Sequence, residues 1–168
     1  MEIKSDMNPS DYEVGVLIAR MQVDELHPGH KGLIDYILAH HKKAILFLGI
    51  PTIECTTENP LDYATRATMI RELYPTLEIL PIKDQRYDNI WSEKLDEYIT
   101  MPFGQKTTVL YGSRDSFIPR YVGKYKTIEL TESFDYSGSK VRSNVAKLVR
   151  KTPDFRAGVI YGIHAKRP

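Results

Sequence analysis

Two histidines separated by a proline and a glycine occupy a position suited to phosphate chemistry. The segment from Arg20 to His30 follows a short apolar run that predicts a strand, and a helical apolar pattern begins directly after it. His27 and His30 would then lie at a helix N-terminus, where backbone N–H groups and the helix dipole attract anions. The Arg20 guanidinium would add a further donor, and Gly29 would let the backbone approach the ligand closely. This loop is predicted to cradle a phosphate.

A second polar group precedes a helical pattern near the end of the chain. Ser137 and Ser139 lie just before it, and Lys140 and Arg142 follow within one turn. Ser139 is a natural N-cap, and hydroxyl and guanidinium donors at a helix start suit an anion. Such helices are usually only structural, so the functional weight of this site depends on its pairing with the histidine loop.

The segments that must position these residues alternate between two periodicities. Short apolar runs predict strands, and stripes at helical spacing predict the helices between them. This alternation is typical of βαβ units, and a run as apolar as residues 44–50 suits a sheet covered on both faces. We predict an α/β, three-layer, Rossmann-like doubly wound fold with a mainly parallel five-stranded sheet. The predicted strands are residues 15–19, 44–48, 78–82, 108–111 and 127–130, and the stripes are residues 33–38, 67–74, 91–99 and 141–149.

Length and composition limit the class of protein. With 168 residues and 42% apolar residues, we expect one domain over residues 1–168, in which residues 1–13 form a loosely held arm or a short edge element. The 23 Lys and Arg against 22 Asp and Glu argue against a strongly basic nucleic-acid binder. One cysteine, Cys55, excludes an intrachain disulfide framework and makes a reducing, cytoplasmic setting the default. No apolar run is long enough to cross a bilayer, so we expect no membrane partner.

The predicted fold says where a ligand would bind. In an open parallel sheet, ligands bind outside the carboxyl ends of the strands. We therefore expect the histidine loop and the segment around Arg142 to meet at one rim, with His30 facing solvent. A zinc-dependent hydrolase with His27 and His30 as ligands is an alternative, although only the distant Cys55 offers itself as a third ligand.

Two motifs give the chain a resemblance to a known superfamily. The sequence from His27 to His30 and the sequence from Ser137 to Arg142 resemble the signature of the nucleotidylyltransferases, which join a nucleoside triphosphate to a phosphorylated acceptor. Residues 58–60 leading to Arg66, residues 81–91 and residues 111–116 are similar to nicotinamide mononucleotide (NMN) adenylyltransferases. The similarity is to the archaeal type and to the type fused to a Nudix hydrolase, and it covers nearly the whole chain.

The resemblance implies a reaction and its catalytic residues. The 5′-phosphate of NMN would attack the α-phosphorus of ATP, giving NAD and pyrophosphate. His27, His30, Arg20 and Arg142 would neutralise charge on the transferred group and the leaving pyrophosphate. Mg²⁺ would be held mainly by phosphate oxygens and water, with Asp24 as the one nearby candidate ligand. The resemblance also implies a homo-oligomer.

The same resemblance implies substrate-binding residues. Asp84, Asp88 and Trp91 would lie at the pyridine ring and its carboxamide, and the face of Trp91 would attract the cationic ring. An equally weighted interpretation is that Trp91 is simply the first apolar residue of its helical stripe. The candidates for the adenosine side are Gly112, Ser113, Arg114 and Asp115, and the other predicted binding residues are Gln22, Gly29, Asn59, Ser137 and Ser139.

The first loop departs from the family pattern. The family has a glycine where this chain has Ala19, and it has two fewer residues between Arg20 and His27. The extra length carries Asp24 and Glu25, which either face solvent, assist a magnesium ion or reduce the rate. The altered loop suggests a non-catalytic nucleotide-binding regulator as an alternative. Transfer to another acceptor, such as phosphopantetheine or a polyol phosphate, is also retained, because only residues 84–91 argue against it. The chain stops about where a fused Nudix domain would begin, so we expect no Nudix activity.

Overall fold

A computed structural model describes residues 2–3, 7–104, 106–113, 116–131 and 143–147. Residues 143–147 are helical, and a short 3-10 turn covers Ile118–Arg120. None of the described helices is long and apolar enough to cross a membrane. The strands are β1 (Glu2–Ile3), β2 (Val14–Ala19), β3 (Lys43–Ile50), β4 (Glu78–Lys83), β5 (Thr108–Gly112) and β6 (Lys126–Thr131), and the helices are α1 (Pro28–His40), α2 (Tyr63–Leu73) and α3 (Asp88–Phe103).

The strands form one sheet in the order β1-β6-β5-β2-β3-β4. Strands β2 to β6 run parallel to their neighbours, whereas β1 pairs antiparallel with β6 at the edge. All five predicted strands are present with nearly the predicted bounds, and helices alternate with them. The predicted Rossmann-like α/β fold with five parallel strands is therefore confirmed.

Helices cover both faces of the sheet. Successive residues of a strand point to opposite faces, so neighbouring residues pack against different helices. In β3, Leu46 belongs to an apolar cluster that includes Ile34 of α1 and parts of α2. The next residue, Phe47, belongs to a second cluster that includes Leu95 of α3. All four side chains are almost completely buried. A sheet buried on both faces needs apolar residues at consecutive positions, which explains the unbroken apolar run in this strand.

Three members of the predicted helical stripes are more exposed than we expected. Leu38, Leu73 and Tyr98 are 38%, 37% and 44% exposed, respectively. Leu38 and Leu73 lie in the last turns of α1 and α2. Tyr98 keeps only one ring face against Phe47, with ring centroids 6.5 Å apart. Helical periodicity thus predicts the helices but not the width of the face that the sheet covers. Of the fourth stripe, Val145 is described and buried.

Strand β2 has Gly15 near its start because another side chain occupies the space of a Cβ. A Cβ on Gly15 would lie 2.2 Å from Cδ2 of His41. The His41 ring is held by hydrogen bonds of 2.9 Å from Nδ1 to the Tyr12 carbonyl oxygen and 2.7 Å from Nε2 to the Tyr111 hydroxyl. Burial lowers the pKa of His41. The close packing of the ring on Gly15 fixes the return of the chain from α1 to β3.

Arg66 is the one charged side chain that is buried in the described part of the chain. Its Nη1 donates to the carbonyl oxygens of Arg20 at 2.7 Å and Gly49 at 3.0 Å. Its Nε donates to the carbonyl oxygen of Asp62, the N-cap of α2, at 3.2 Å. Burial lowers the pKa of Arg66, but a guanidinium stays protonated in proteins. One cation therefore joins the carboxyl ends of β2 and β3 to the start of α2.

We expect Arg66→Met to lower the free energy of unfolding by about 3–5 kcal/mol, because it leaves buried carbonyl oxygens without donors. The matched control is Arg71→Met. Arg71 also lies in α2 but is exposed, with a 3.4 Å bond to the carbonyl oxygen of Ile79, and its loss should cost less than about 1 kcal/mol. The midpoints of urea unfolding curves, compared at an unchanged m-value, measure the loss of stability in both variants.

Equal losses in the two variants would contradict the bracing role of Arg66. If Arg66→Met does not fold, Arg66→Lys supplies the comparison. Lysine keeps the charge and can donate to the carbonyl oxygens, but it lacks the planar fork that spans them. Its stability should therefore fall clearly below that of the wild type, and a wild-type midpoint would overturn the assignment.

Candidate functional site

The strand order changes direction between β2 and β5. From β2 the chain moves through β3 and β4 on one side, and then through β5 and β6 on the other. Ligands of open parallel sheets bind in the crevice outside the carboxyl ends of the strands at such a switch point. The loop that starts at Arg20 follows β2, and the loop that starts at Ser113 follows β5. Both loops flank this crevice, so two of the predicted segments share one edge.

His27 and His30 form a stacked pair at the N-terminus of α1. Their ring centroids are 3.8 Å apart. His27 is the N-cap, and its Nδ1 accepts from the backbone N–H of His30 at 3.4 Å. An accepting Nδ1 leaves the proton of the neutral His27 ring on Nε2. Pro28 occupies the first helical position, where its missing N–H costs nothing, and Gly29 is buried behind the rings.

The expectation that His30 faces solvent is wrong for Nδ1. This nitrogen is buried and has no hydrogen-bond partner among the described residues. Burial, and to a lesser extent the charge of His27, lowers the pKa of His30 to about 3. The ring is therefore neutral at pH 7. Because a nearby anion raises the pKa of an imidazole, a phosphate bound here would favour protonation of His30.

Arg20, Asn59 and Asp84 meet at the carboxyl edge although each follows a different strand. Nη2 of Arg20 lies 2.6 Å from Oδ2 of Asp84, and Nη1 donates to Oδ1 of Asn59 at 3.2 Å. The backbone N–H of Asp84 donates to the carbonyl oxygen of Ile50 at 2.8 Å, which continues the β3–β4 ladder beyond the strands. The structure thus brings three of the predicted site residues into direct contact.

The loop after β2 is anchored by its apolar residues. Met21 adopts a φ of 46°, a left-handed conformation that is unusual for a residue with a side chain. Met21, Val23 and Leu26 are buried, whereas Asp24 and Glu25 are exposed. Both acidic side chains of this loop therefore reach the surface, while its apolar side chains are buried.

Asp24 is accordingly one of two neighbouring exposed carboxylates in this loop. Nowhere in the described ranges do three His, Cys, Asp or Glu side chains cluster as metal ligands. Structural and catalytic zinc sites need at least three protein ligands. Mg²⁺ is commonly held by one or two carboxylates together with substrate phosphates. Among the described residues, the exposed carboxylates of this loop are oxygen donors of the kind that Mg²⁺ uses, and they do not provide a zinc site.

Gln22 lies in the interior instead of at the loop surface. It is 3% exposed, its amide nitrogen donates to the carbonyl oxygen of Leu61 at 3.0 Å, and its Oε1 accepts from the N–H of Leu61 at 2.9 Å. These bonds tie the loop after β2 to the segment before α2. The predicted contact of Gln22 with substrate would require both bonds to break.

Asp88 and Trp91 lie in the first turn of α3. Asp88 is exposed, and its carbonyl oxygen accepts from the Ser92 hydroxyl at 2.7 Å. Trp91 is half-buried, and its ring lies 5.7 Å from the ring of Phe117. It packs at the margin of the apolar cluster under α3. The packing role of Trp91 is therefore present, and its contact with a pyridine ring stays a prediction.

Strand β5 ends at Gly112, where the packing leaves no room for a side chain. A Cβ there would lie 2.3 Å from Oγ of Ser116. Beyond the strand, the N–H of Ser116 donates to the carbonyl oxygen of Ser113 at 3.2 Å. The predicted residues that lie outside the described part of the chain are Arg114, Asp115, Ser137, Ser139 and Arg142.

The sequence analysis named Arg66 within a family-like stretch but gave it no role, although the structure bonds it to the backbone of Arg20. Its Nη2 is buried without a partner within the described ranges. A second signal was its position, because Arg66 precedes Ile70 by four residues and so falls on the buried stripe of α2. A charged residue on an apolar stripe near a helix start is the pattern that could have identified it.

An open groove along α3 contains none of the predicted site residues. Its lining includes Ser92, Asp96 and Val122. The N–H of Val122 donates to the Ser92 hydroxyl at 3.1 Å, and the N–H of Lys124 donates to Oδ2 of Asp96 at 2.8 Å. These bonds attach the segment before β6 to α3, so the polar groups of the groove serve the packing of the fold.

No protein-family model matches the chain, and no curated protein matches it. Several solved structures are similar to it. A bifunctional NMN adenylyltransferase/ADP ribose pyrophosphatase from Francisella tularensis has a TM-score of 0.67 and 23% identity, covering 79% of this chain and 42% of that one. A second structure of a bifunctional NMN adenylyltransferase/ADP ribose pyrophosphatase from this organism, complexed with AMP and a manganese ion, has a TM-score of 0.68 and 18% identity. The match covers 89% of this chain and 52% of that one.

A NadR protein in complex with NAD and AMP-PNP has a TM-score of 0.58 and 12% identity, covering 83% of this chain and 44% of that one. The chain spans about half the length of these proteins or less. At such identities the likeness concerns the fold. The chain shares its Rossmann-like α/β fold with these NMN adenylyltransferase and NadR structures.

Proposed function

We propose that the chain is an adenylyltransferase that joins ATP and NMN to give NAD and pyrophosphate. The observation that carries the proposal is the stacked pair of His27 and His30 at the start of α1, beside the switch point of the sheet. Helix N–H groups, a neutral imidazole with a buried nitrogen and the nearby Arg20 loop are the groups that a phosphate ligand needs. The fold shared with an AMP-bound adenylyltransferase supports the same chemistry.

The proposed mechanism is in-line substitution at phosphorus. An oxygen of the NMN 5′-phosphate forms a bond to the α-phosphorus of ATP, and the bond from that phosphorus to the bridging oxygen breaks, releasing pyrophosphate. The attacking phosphate is already ionised near neutral pH, so alignment matters more than a general base. Nε2–H of His27, the His30 ring and the Arg20 guanidinium would stabilise charge on the transferred group and the leaving group. Arg142 is proposed to complete this set.

The two nucleotides would approach from different loops. The adenosine side is assigned to the loop after β5, with Ser113 among its residues, and the acceptor side to the start of α3. There the half-buried Trp91 would offer a ring face to the cationic pyridine, and Asp88 would lie one turn away. Mg²⁺ carried with ATP would neutralise part of the triphosphate charge, and Asp24 is the carboxylate of the first loop that could hold it.

Pyrophosphate release with a panel of acceptors tests the activity. We expect turnover with ATP and NMN, with CTP a much poorer donor. The other acceptors are nicotinic acid mononucleotide, phosphopantetheine and a polyol phosphate. Turnover with phosphopantetheine or the polyol phosphate and none with NMN would overturn the acceptor assignment. Tight binding of ATP or NAD by calorimetry without any pyrophosphate formation would instead favour a nucleotide-binding regulator.

We expect His30→Ala to lower kcat by at least about a hundredfold, the usual effect of removing one donor to a developing charge. The control is His40→Ala, at the exposed end of the same helix, where Nδ1 of His40 contacts only the carbonyl oxygen of Tyr36 among the bonds described. His40→Ala should retain normal turnover. Steady-state pyrophosphate release measures both variants, and near-normal turnover of His30→Ala would contradict the phosphate cradle.

Replacing Trp91 should affect the acceptor more than the nucleoside triphosphate. We expect Trp91→Ala to raise KM for NMN by about tenfold and to change KM for ATP much less, because a stacked cation is lost. Trp91→Phe keeps the contact with Phe117 and should give a smaller rise, which separates stacking from packing. Tyr98→Ala, at an exposed aromatic residue of the same helix, is the control. A larger effect on ATP than on NMN would show that the acceptor lies elsewhere.

A further inference from the structure

We propose that Asp84 is a positioning residue that orients the guanidinium of Arg20, and that it does not contact the base of the acceptor. This inference rests on the proposed function, because it assumes that Arg20 acts on a phosphate. Its basis is the 2.6 Å contact between Oδ2 of Asp84 and Nη2 of Arg20, two residues that are 64 positions apart in the sequence. The contact joins the loop after β2 to the end of β4.

Arg20 is held along its whole length. Its carbonyl oxygen accepts from Nη1 of the buried Arg66 at 2.7 Å. Its side chain crosses β3 at Gly49, where a Cβ would come within 3.3 Å of Cγ of Arg20. Its guanidinium then reaches Asn59 at 3.2 Å and Asp84 at 2.6 Å. Backbone, stem and tip are each fixed by a different segment, so the direction of the guanidinium is defined before any ligand binds.

Asp84 provides a fixed point because its own backbone is part of the sheet. Its N–H donates to the carbonyl oxygen of Ile50 at 2.8 Å. The fold gains little from the ion pair itself, since the two side chains are 49% and 32% exposed and pairs in such positions are largely screened. A short, charge-assisted bond that adds little stability but fixes a direction suits a positioning role.

The arrangement still leaves Arg20 able to bind a phosphate. A guanidinium has five N–H groups, and the described residues use two of them, one at Asn59 and one at Asp84. The remaining groups can donate to phosphoryl oxygens without breaking the pair. Without Asp84 the long arginine side chain would sample other rotamers, and part of its alignment with the reacting phosphorus would be lost.

A double-mutant cycle on Arg20 and Asp84 tests the inference. We expect Asp84→Asn to lower kcat by about tenfold to a hundredfold and to change KM for NMN by less than about threefold, because misaligned catalytic groups slow the reaction step. In an Arg20→Ala background the same substitution should have no further effect. A selective rise in KM for NMN that persists in the Arg20→Ala background would overturn the inference and place Asp84 at the acceptor base.

The matched control is Glu78→Gln. Glu78 pairs with Lys43 at 2.7 Å, and its side chain, 35% exposed, lies in the same strand that leads to Asp84. Glu78→Gln should leave kcat and KM unchanged, and the unfolding midpoints of Glu78→Gln and Asp84→Asn should agree. A much lower midpoint for Asp84→Asn would mean that the pair supports the fold, which would overturn a positioning role.

Binding of inorganic pyrophosphate separates this inference from the proposed function. If no acceptor supports turnover, the proposed function fails, yet calorimetry can still follow the same cycle. We expect Asp84→Asn to weaken pyrophosphate binding several-fold when Arg20 is present and not when it is absent. Tighter binding in Asp84→Asn would show that Asp84 competes with phosphate and would overturn the inference. Absence of pyrophosphate binding by the wild-type protein would overturn it as well.

Discussion

A buried guanidinium organises the carboxyl edge of the sheet. Burying a cation is costly unless hydrogen bonds replace its water, and Arg66 obtains those bonds from carbonyl oxygens at Arg20, Gly49 and Asp62. These oxygens lie where two parallel strands end and a helix begins, so the cation and the strand ends stabilise one another. The position of the loop after β2, and with it the direction in which Arg20 leaves the sheet, depends on this one interaction.

Two basic groups at the described edge are neutralised. Arg20 is paired with Asp84, and burial keeps His30 uncharged at neutral pH. The positive potential there therefore comes from the buried Arg66, which is bonded to carbonyl oxygens, and from fixed peptide dipoles at the start of α1. Such dipoles need no reorganisation when charge develops on a ligand, which is the condition for effective electrostatic stabilisation.

The sequence was informative where a property is local. Apolar runs and helical stripes predicted the five parallel strands and the alternating helices, and the apolar stripe after His30 predicted that a helix begins near the two histidines. The pairing of Arg20 with Asp84, the burial of Arg66 and the burial of His30 could not be predicted in this way, because each depends on how segments far apart in the chain pack together. Spacing can bring candidate residues to one edge of a sheet, but it does not say which of them contact each other.

The loop after β2 is attached to the interior by one set of residues and carries its charge on another. Its inward residues, Val23 and Leu26, fasten the loop to the interior, while its outward residues, Asp24 and Glu25, are exposed. Charge at this tip can therefore change during evolution at little structural cost. If the loop receives a nucleotide as proposed, a single codon change there would alter the local electric field that the nucleotide meets, while the architecture stayed constant.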